Sequence, residues 1–169
     1  MSAHGRVAKI ADPAVDEEFL GAYLETLAMV ERLHRLLLDV IKDEFERLGI
    51  IDINAVQALL LFNVGENEVT AGELKTRGYY QGSNVSYNLK KLVECGYMHH
   101  QRCQADRRAV RVRLTDRGSQ IRTIVSDLFQ RHATGIIGRD VLGGMRLADI
   151  NQCLRRMEHY WTDQIRYIY

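Results

Sequence analysis

The sequence has no uninterrupted run of about 18 apolar residues, the length that a membrane-spanning helix requires. Its first stretch, MSAHGRVAKIADPAVDEEF, also lacks the basic segment followed by an apolar segment that marks a secretory signal. Cysteine is scarce: Cys95, Cys103 and Cys153 are odd in number and widely spaced, which argues against a disulfide framework. These absences predict a cytoplasmic protein with no membrane partner.

Enzyme and metal motifs are missing as well. The sequence has no Ser-His-Asp arrangement, no glycine-rich phosphate loop, no metal triad and no CxxC pair. His99 and His100 cannot chelate one ion from a regular strand, because adjacent strand residues point to opposite faces. We therefore expect no catalytic residues, no metal site and no cofactor.

The net charge of +1 conceals an uneven distribution. Residues 75–117 contain ten lysines and arginines against three acidic residues, a balance of +7, so the rest of the chain carries −6. Concentrated cations suit a polyanion better than scattered cations do. The basic segment therefore favours a nucleic-acid partner, with a solvated basic face as the alternative.

Long amphipathic segments occupy both ends of the chain. Apolar residues at intervals of three and four predict a helix over 16–48, with Gly49 as its stop. Near the C-terminus they predict a helix over 116–133 capped by Thr115, then the glycine-bearing link TGIIGRDVLGG, and a last helix over about 147–165. The first and last helices are long for the core of a small domain, so they predict a partner surface.

Shorter elements lie between these helices. Asp52 is expected to cap a helix that ends at Gly65, and a capping box of Thr70 and Glu73 opens a short helix through about Thr76. After the turn GYYQGS, a helix over 83–95 has one apolar face and one polar face. From Tyr97 the apolar period falls from about 3.6 to about 2, which predicts strands over 97–103 and 109–114 around a polar turn.

This order of elements, with a basic hairpin after a pair of helices, is that of a winged helix-turn-helix. The predicted fold is mainly α with a small β-hairpin wing, an α+β architecture with N- and C-terminal dimerisation helices. We expect an N-terminal arm and dimerisation helix over 1–48, a DNA-binding domain over 49–118, and C-terminal helices over 119–169 that complete the dimerisation region.

The segment DRRAVRVRLTDRG, Asp106 to Gly118, resembles the wing of the MarR family of bacterial transcription regulators, with its D-x-R, alternating strand and L-T-x-x-G. VTAGELKTR looks like the family's T-x-x-E-L helix start, and NVSYNLKKLVECGY is similar to its recognition helix. The resemblance covers about residues 52–128. It implies a homodimeric regulator, more often a repressor, whose two winged domains straddle a pseudopalindromic operator in double-stranded DNA.

Candidate DNA contacts follow from chemistry at the matched positions. On the recognition helix they are Ser83, Asn84, Ser86, Tyr87, Asn88 and Lys91, since asparagine can read adenine while serine and lysine more often reach phosphate. At the wing, Arg107 suits a narrow minor groove, Asp106 is placed to orient Arg108, and Arg111 with Arg113 faces phosphates or the domain's own acids. Many relatives have arginine where Tyr87 stands, so the operator sequence is not carried over.

The resemblance also implies release by a small effector, often aromatic or phenolic, bound between the dimerisation helices and the winged domain. Tyr23, Met29 and His34 are the candidates to line such a pocket, although core or dimer packing is an alternative role for each. Two further alternatives stay open. One is a redox-responsive regulator that senses oxidants through a cysteine near the basic segment, and the other is a winged interaction module that does not bind DNA.

Overall fold

A computed structural model describes residues 15–76, 82–102 and 110–168, which form six helices and three strands. In chain order they are α1 (Glu17–Leu48), α2 (Ala55–Val64), β1 (Val69–Thr70), α3 (Ala71–Thr76), α4 (Gly82–Glu94), β2 (Met98–Arg102), β3 (Val110–Leu114), α5 (Asp116–Gly138) and α6 (Leu147–Ile168). A mainly helical chain with a small antiparallel sheet confirms the predicted fold class.

Helices α1 and α3 begin and end close to their predicted bounds. The Asp16 carboxylate accepts the Phe19 N–H at 2.6 Å at the start of α1, and Gly49 ends this helix with a left-handed φ of 71°. The capping box before α3 is also confirmed, because Thr70 Oγ1 accepts the Glu73 N–H at 3.0 Å and the Glu73 carboxylate accepts the Thr70 N–H at 2.5 Å.

The predicted cap of α2 is wrong. Asn54, not Asp52, is the N-cap, and it forms a capping box with Gln57. Asp52 lies two residues earlier, where its carboxylate accepts hydrogen bonds from the Tyr97 hydroxyl and from Arg117. Aspartate and asparagine can both cap a helix. The residue type therefore does not decide between positions 52 and 54, whereas the bonds of Asp52 to distant residues do.

The sheet has the order β1-β3-β2, with both pairs antiparallel. The hairpin of β2 and β3 was predicted, whereas β1 was not. Val69 and Thr70 pair with Val112 and Arg111, and two residues are too few for a period to be visible in the sequence. Strand β1 therefore attaches the hairpin to the segment between α2 and α3.

The C-terminal link is shorter than predicted. Helix α5 begins after Thr115 as expected, but it continues through Gly138 instead of ending near 133. Glycine inside a helix costs only about 1 kcal/mol relative to alanine, so the glycine-bearing link did not stop it. The turn before α6 contains Gly143 and Gly144, which both have a left-handed φ.

The core joins the second half of α1, helices α2 to α5 and the sheet. Its fully buried large side chains come from every one of these elements or the turns between them: Ile41, Leu60, Leu61, Leu74, Val85, Leu92, Tyr97, Met98, Val112 and Val125. The first half of α1 and the length of α6 contribute none of these residues and instead expose large apolar side chains. In the described ranges, no helix is long and apolar enough to cross a membrane.

A carboxylate at 10% side-chain exposure ties α1 to α5. Glu44 accepts two hydrogen bonds from Arg47, at 2.8 and 2.9 Å, and one from Arg131 on α5, at 2.6 Å. The hydrogen bond from Arg47 is the main cause that lowers the Glu44 pKa from 4.5 to about 2, against the opposing effect of burial. The carboxylate is therefore ionised over the whole physiological range.

Because the folded-state pKa of Glu44 is depressed, the stability that this carboxylate supplies is complete above about pH 4.5 and is lost as the pH falls towards about 2. We expect Glu44→Gln to lower the free energy of unfolding by about 2 kcal/mol at pH 7 and to flatten its decline between pH 4.5 and 2. Urea titrations at several pH values measure both effects. Glu46→Gln is the control, because Glu46 forms only an exposed pair with Lys42 at 3.7 Å, and an equal loss in that variant would contradict the assignment.

Candidate nucleic-acid interface

Helix α4 lies on the domain by a continuous apolar face. Val85, Leu89 and Leu92, spaced by four and three residues, are 0%, 7% and 1% exposed and belong to the core. The helix ends in a Schellman motif: the Gly96 N–H donates to the Val93 carbonyl at 3.0 Å, and the Tyr97 N–H donates to the Leu92 carbonyl at 2.8 Å. Gly96 has a φ of 76°, which suits glycine. The buried apolar face therefore sets which side of α4 points outward, and the Schellman motif sets where the helix ends.

The opposite face of α4 carries polar side chains at the surface. Asn84, Ser86, Tyr87 and Lys91 are all exposed, and Tyr87 reaches 62% exposure. The Lys91 ammonium donates to the Glu94 carboxylate at 3.2 Å, a contact that raises the lysine pKa and keeps the side chain charged. This face combines amide, hydroxyl, aromatic and cationic groups, as base edges and phosphates require.

Asn88 does not belong to this face, so its assignment to the polar face was wrong. Its side chain is 9% exposed, and the amide nitrogen donates to the carbonyl of Asn84 at 2.9 Å. The two residues are four positions apart, so the bond runs along the helix towards its N-terminus. Ser83 belongs to the first turn of the same helix, and its side chain lies outside the described part of the structure.

The outer face of the hairpin is cationic. Arg111 and Arg113 are exposed while Val112 between them is buried, as the alternation predicts. Arg111 lies 3.6 Å from the Glu68 carboxylate, with both side chains about half-exposed. Gln101 and His99 are the register partners of the two arginines, so they lie on the same face. An exposed ion pair of this kind is worth little, and a phosphate can replace the carboxylate.

The tip of the wing lies outside the described residues. Asp106, Arg107 and Arg108 fall in this part of the chain, as does Cys103, so their predicted roles rest on the sequence. The two strands that lead to the tip are described, and their register pairs Arg102 with Val110 at the distal end.

A polar cluster beneath the interface was not predicted. The Tyr97 hydroxyl lies 2.8 and 2.9 Å from the two carboxylate oxygens of Asp52, and the Arg117 guanidinium donates to the same carboxylate. Arg117 also donates to the Cys95 carbonyl at 2.8 Å and stacks 4.3 Å from the centroid of the Tyr97 ring. Periodicity could not reveal it, because Asp52 and Arg117 are 65 positions apart in the chain.

Burial is the main cause that raises the Tyr97 pKa to about 12, followed by the hydrogen bond to Asp52 and the charge of that carboxylate. The hydroxyl therefore stays protonated and remains a donor at any physiological pH. Sequence reasoning assigned Arg117 no role of its own, yet its side chain links α5 to α4 and to the segment before α2.

The three residues predicted to contact an effector differ in burial and in whether they line a cavity. Tyr23 is half-buried and lines a cavity of about 700 Å³ between α1 and α6, together with Phe19, Met157 and Trp161. Met29 and His34 are exposed and do not line this cavity. Among the described residues, Cys95 and Cys153 are free, exposed thiols, and no group of three metal-ligating side chains lies close enough to hold an ion.

Helices α3 and α4 with the three-stranded sheet define a winged helix protein, and the comparisons with known proteins agree. A family model described as a winged helix DNA-binding domain matches residues 53–118. The chain is 32% identical over 151 residues to the exopolysaccharide II synthesis transcriptional activator ExpG of Rhizobium meliloti (strain 1021), covering 89% of this chain and 77% of that protein. The chain belongs to the MarR family of winged helix transcriptional regulators.

Solved structures share the whole fold. A MarR protein from Peptoclostridium difficile DA00132 has a TM-score of 0.69 at 14% identity, with full coverage of both chains. Streptococcus pneumoniae FabT, solved in complex with DNA, has a TM-score of 0.55 at 21% identity and covers 88% of this chain and 99% of its own. At such identities the likeness supports the fold, while the family assignment depends on the closer relative.

Proposed function

We propose that the chain acts as a homodimer that inserts α4 into the major groove of a pseudopalindromic operator. The observation that carries this proposal is the two-faced character of α4: one face is packed in the core and the other exposes Asn84, Ser86, Tyr87 and Lys91. A winged helix presents its second helix to DNA in this manner. FabT, which shares this fold, was solved in complex with DNA, and this supports DNA as the partner.

The individual roles follow from the exposed groups. Asn84 and Tyr87 are proposed to contact base edges, since an amide can pair with adenine and an aromatic ring can pack against a thymine methyl group. Ser86, Lys91 and Ser83 are proposed to bind phosphates. In the wing, Arg107 enters the minor groove, Asp106 orients Arg108, and Arg111 exchanges Glu68 for a phosphate.

The DNA-binding proposal is tested by selecting duplexes from a random pool and measuring the affinity of the best one. We expect Lys91→Ala to weaken binding roughly 10-fold and to reduce the salt slope by about one unit, because one phosphate contact is lost. Arg107→Ala should weaken binding much more than His99→Ala. Lys42→Ala on α1 is the matched control and should bind like the parent. Binding that does not respond to salt, or no duplex binding at all, would favour an interaction module instead.

The dimer proposal depends on one apolar stripe of α1. Its C-terminal part, Ile41 and Phe45, is buried in the core of the same chain, whereas Leu20 and Val30 further up the stripe are 46% and 43% exposed. Helix α6 likewise exposes large apolar side chains, including Trp161. A patch of this extent is unusual on a monomer, so we propose that residues 15–48 and 119–168 cover one another between two copies.

Sedimentation equilibrium tests the dimer. Val30→Glu should shift the protein to a monomer, because a carboxylate would be buried without a partner at the proposed interface. Arg32→Glu, a larger change of charge two positions away, is the control and should remain dimeric, because position 32 lies on the opposite side of α1 from Val30 and Ile41. A monomeric parent protein at micromolar concentration would refute the proposal. In the dimer, half-sites about one helical turn apart are expected in the selected duplexes.

The sign of regulation has two candidates. Repression is what the family resemblance implies, whereas the relative from Rhizobium meliloti is named as an activator. We propose that a small aromatic or phenolic effector releases the operator, with Tyr23 in the α1–α6 cavity as the candidate to contact it. Transcription from a promoter that carries the selected operator, measured with and without such compounds, distinguishes the two signs and reveals release.

A further inference from the structure

The C-terminal end of α4 is held by a side chain from another helix. Once the Schellman motif has used the Leu92 and Val93 carbonyls, the Cys95 carbonyl remains at the end of the helix. Arg117, the second residue of α5, donates to this carbonyl at 2.8 Å. A guanidinium at this position satisfies a terminal acceptor and also complements the negative end of the helix dipole.

Arg117 is itself fixed from two further directions. Its guanidinium donates to Asp52, which lies before α2, and stacks on the ring of Tyr97 at 4.3 Å. The Tyr97 hydroxyl donates to the same carboxylate. A planar guanidinium can satisfy a carboxylate and a carbonyl at once while packing on an aromatic face, which an ammonium cannot do.

Backbone contacts beside this cluster leave little room for adjustment. Thr115 donates through its hydroxyl to the Gly96 carbonyl at 2.8 Å, and its N–H donates to the Tyr97 carbonyl at 3.1 Å. A Cβ atom on Gly118 would lie 2.1 Å from the Tyr97 carbonyl oxygen, so only glycine fits there. The start of α5 and the end of α4 therefore meet in one rigid junction.

We propose that Asp52 and Arg117 are positioning residues for DNA recognition: they set the orientation of α4 by fixing its C-terminal carbonyl to α5 and to the segment before α2. The proposal rests on the proposed function of α4 as the DNA-reading helix. Neither residue is required to contact DNA. Asp52 in particular carries the wrong charge for a phosphate contact, so a simple electrostatic role and a positioning role predict opposite results when it is neutralised.

The test compares Asp52→Asn with Glu66→Gln. Both remove a carboxylate that pairs with an arginine of α5, since Glu66 lies 3.1 Å from Arg122. Within the described ranges, however, Glu66 forms no hydrogen bond or ion pair with α4. Neutralising an acid on a DNA-binding protein should strengthen binding if only charge matters. We expect Asp52→Asn to weaken binding to the selected duplex roughly 10-fold and Glu66→Gln to leave it unchanged or slightly stronger.

Arg117→Gln completes a double-mutant cycle with Asp52→Asn. We expect each single change to weaken binding and the double variant to bind about as well as the worse single variant, because both break the same junction. The salt slope should match that of the parent in all three variants, since no phosphate contact is lost. Equal affinities for Asp52→Asn, Arg117→Gln and the parent would overturn the proposal, as would a reduced salt slope for Arg117→Gln.

Amide hydrogen exchange in the protein without DNA separates this proposal from the function on which it rests. Exchange at the Gly96 and Tyr97 amides, which close the end of α4, should become faster in Asp52→Asn and Arg117→Gln but not in Glu66→Gln. Unchanged exchange would overturn the positioning role even if the parent binds DNA. Faster exchange in these two variants, combined with a parent protein that binds no duplex, would refute only the proposed function.

A variant that fails to fold does not end the test. Arg117→Lys keeps the positive charge and can reach one of the two acceptors, so it replaces Arg117→Gln if thermal unfolding shows that the latter is unfolded. Intermediate weakening of DNA binding, between the parent and Asp52→Asn, is then expected. Binding by a folded Arg117→Lys variant equal to that of the parent would show that charge alone suffices and would refute the positioning role.

Discussion

The contact between Gly118 and the carbonyl oxygen of Tyr97 fixes the geometry on which the rest of the winged domain depends. At this point the end of α4, the start of β2 and the start of α5 come together, and the absent side chain of Gly118 allows the helix to approach the turn. Thr115 closes the same junction with one hydroxyl, which donates to Gly96 and accepts from the Gly118 N–H. The end of α4, the start of β2 and the start of α5 are therefore joined at a single junction.

The winged domain and the helices α1 and α6 expose different kinds of side chain. The exposed polar face of α4 and the cationic outer face of the hairpin lie in the winged domain, whose ion pairs are exposed and easily exchanged for phosphates. By contrast, α1 and α6 expose leucine, phenylalanine and tryptophan side chains, and burying these against another apolar surface is favourable. One stripe of α1 serves both parts, because its C-terminal end is buried in the domain and its N-terminal end extends away from it. Glu44 on this helix, bound by Arg131 of α5, ties the two parts together.

Sequence reasoning identified the six described helices and the β2–β3 hairpin for simple reasons. Helical and strand periods are visible within ten to thirty residues, and caps such as Thr70 and Thr115 act on backbone groups three positions away. The failures share a different cause. Asn88 was placed on the exposed face because its residue type is polar, although a nearby carbonyl allows it to be buried. Asp52 was interpreted as a cap because its partners are distant in the chain.

By itself, then, the sequence determined the order of helices and strands, the basic character of residues 75–117 and the likeness of the wing to the MarR family, since all three depend on local composition and spacing. Tertiary structure decided which polar groups are surface groups and which are supports. It paired β1 with β3, buried Asn88, and brought Asp52, Tyr97 and Arg117 together beneath α4. The physical reason is that a hydrogen bond or an ion pair forms between groups that are close in space, and folding makes neighbours of residues that are 45 and 65 positions apart.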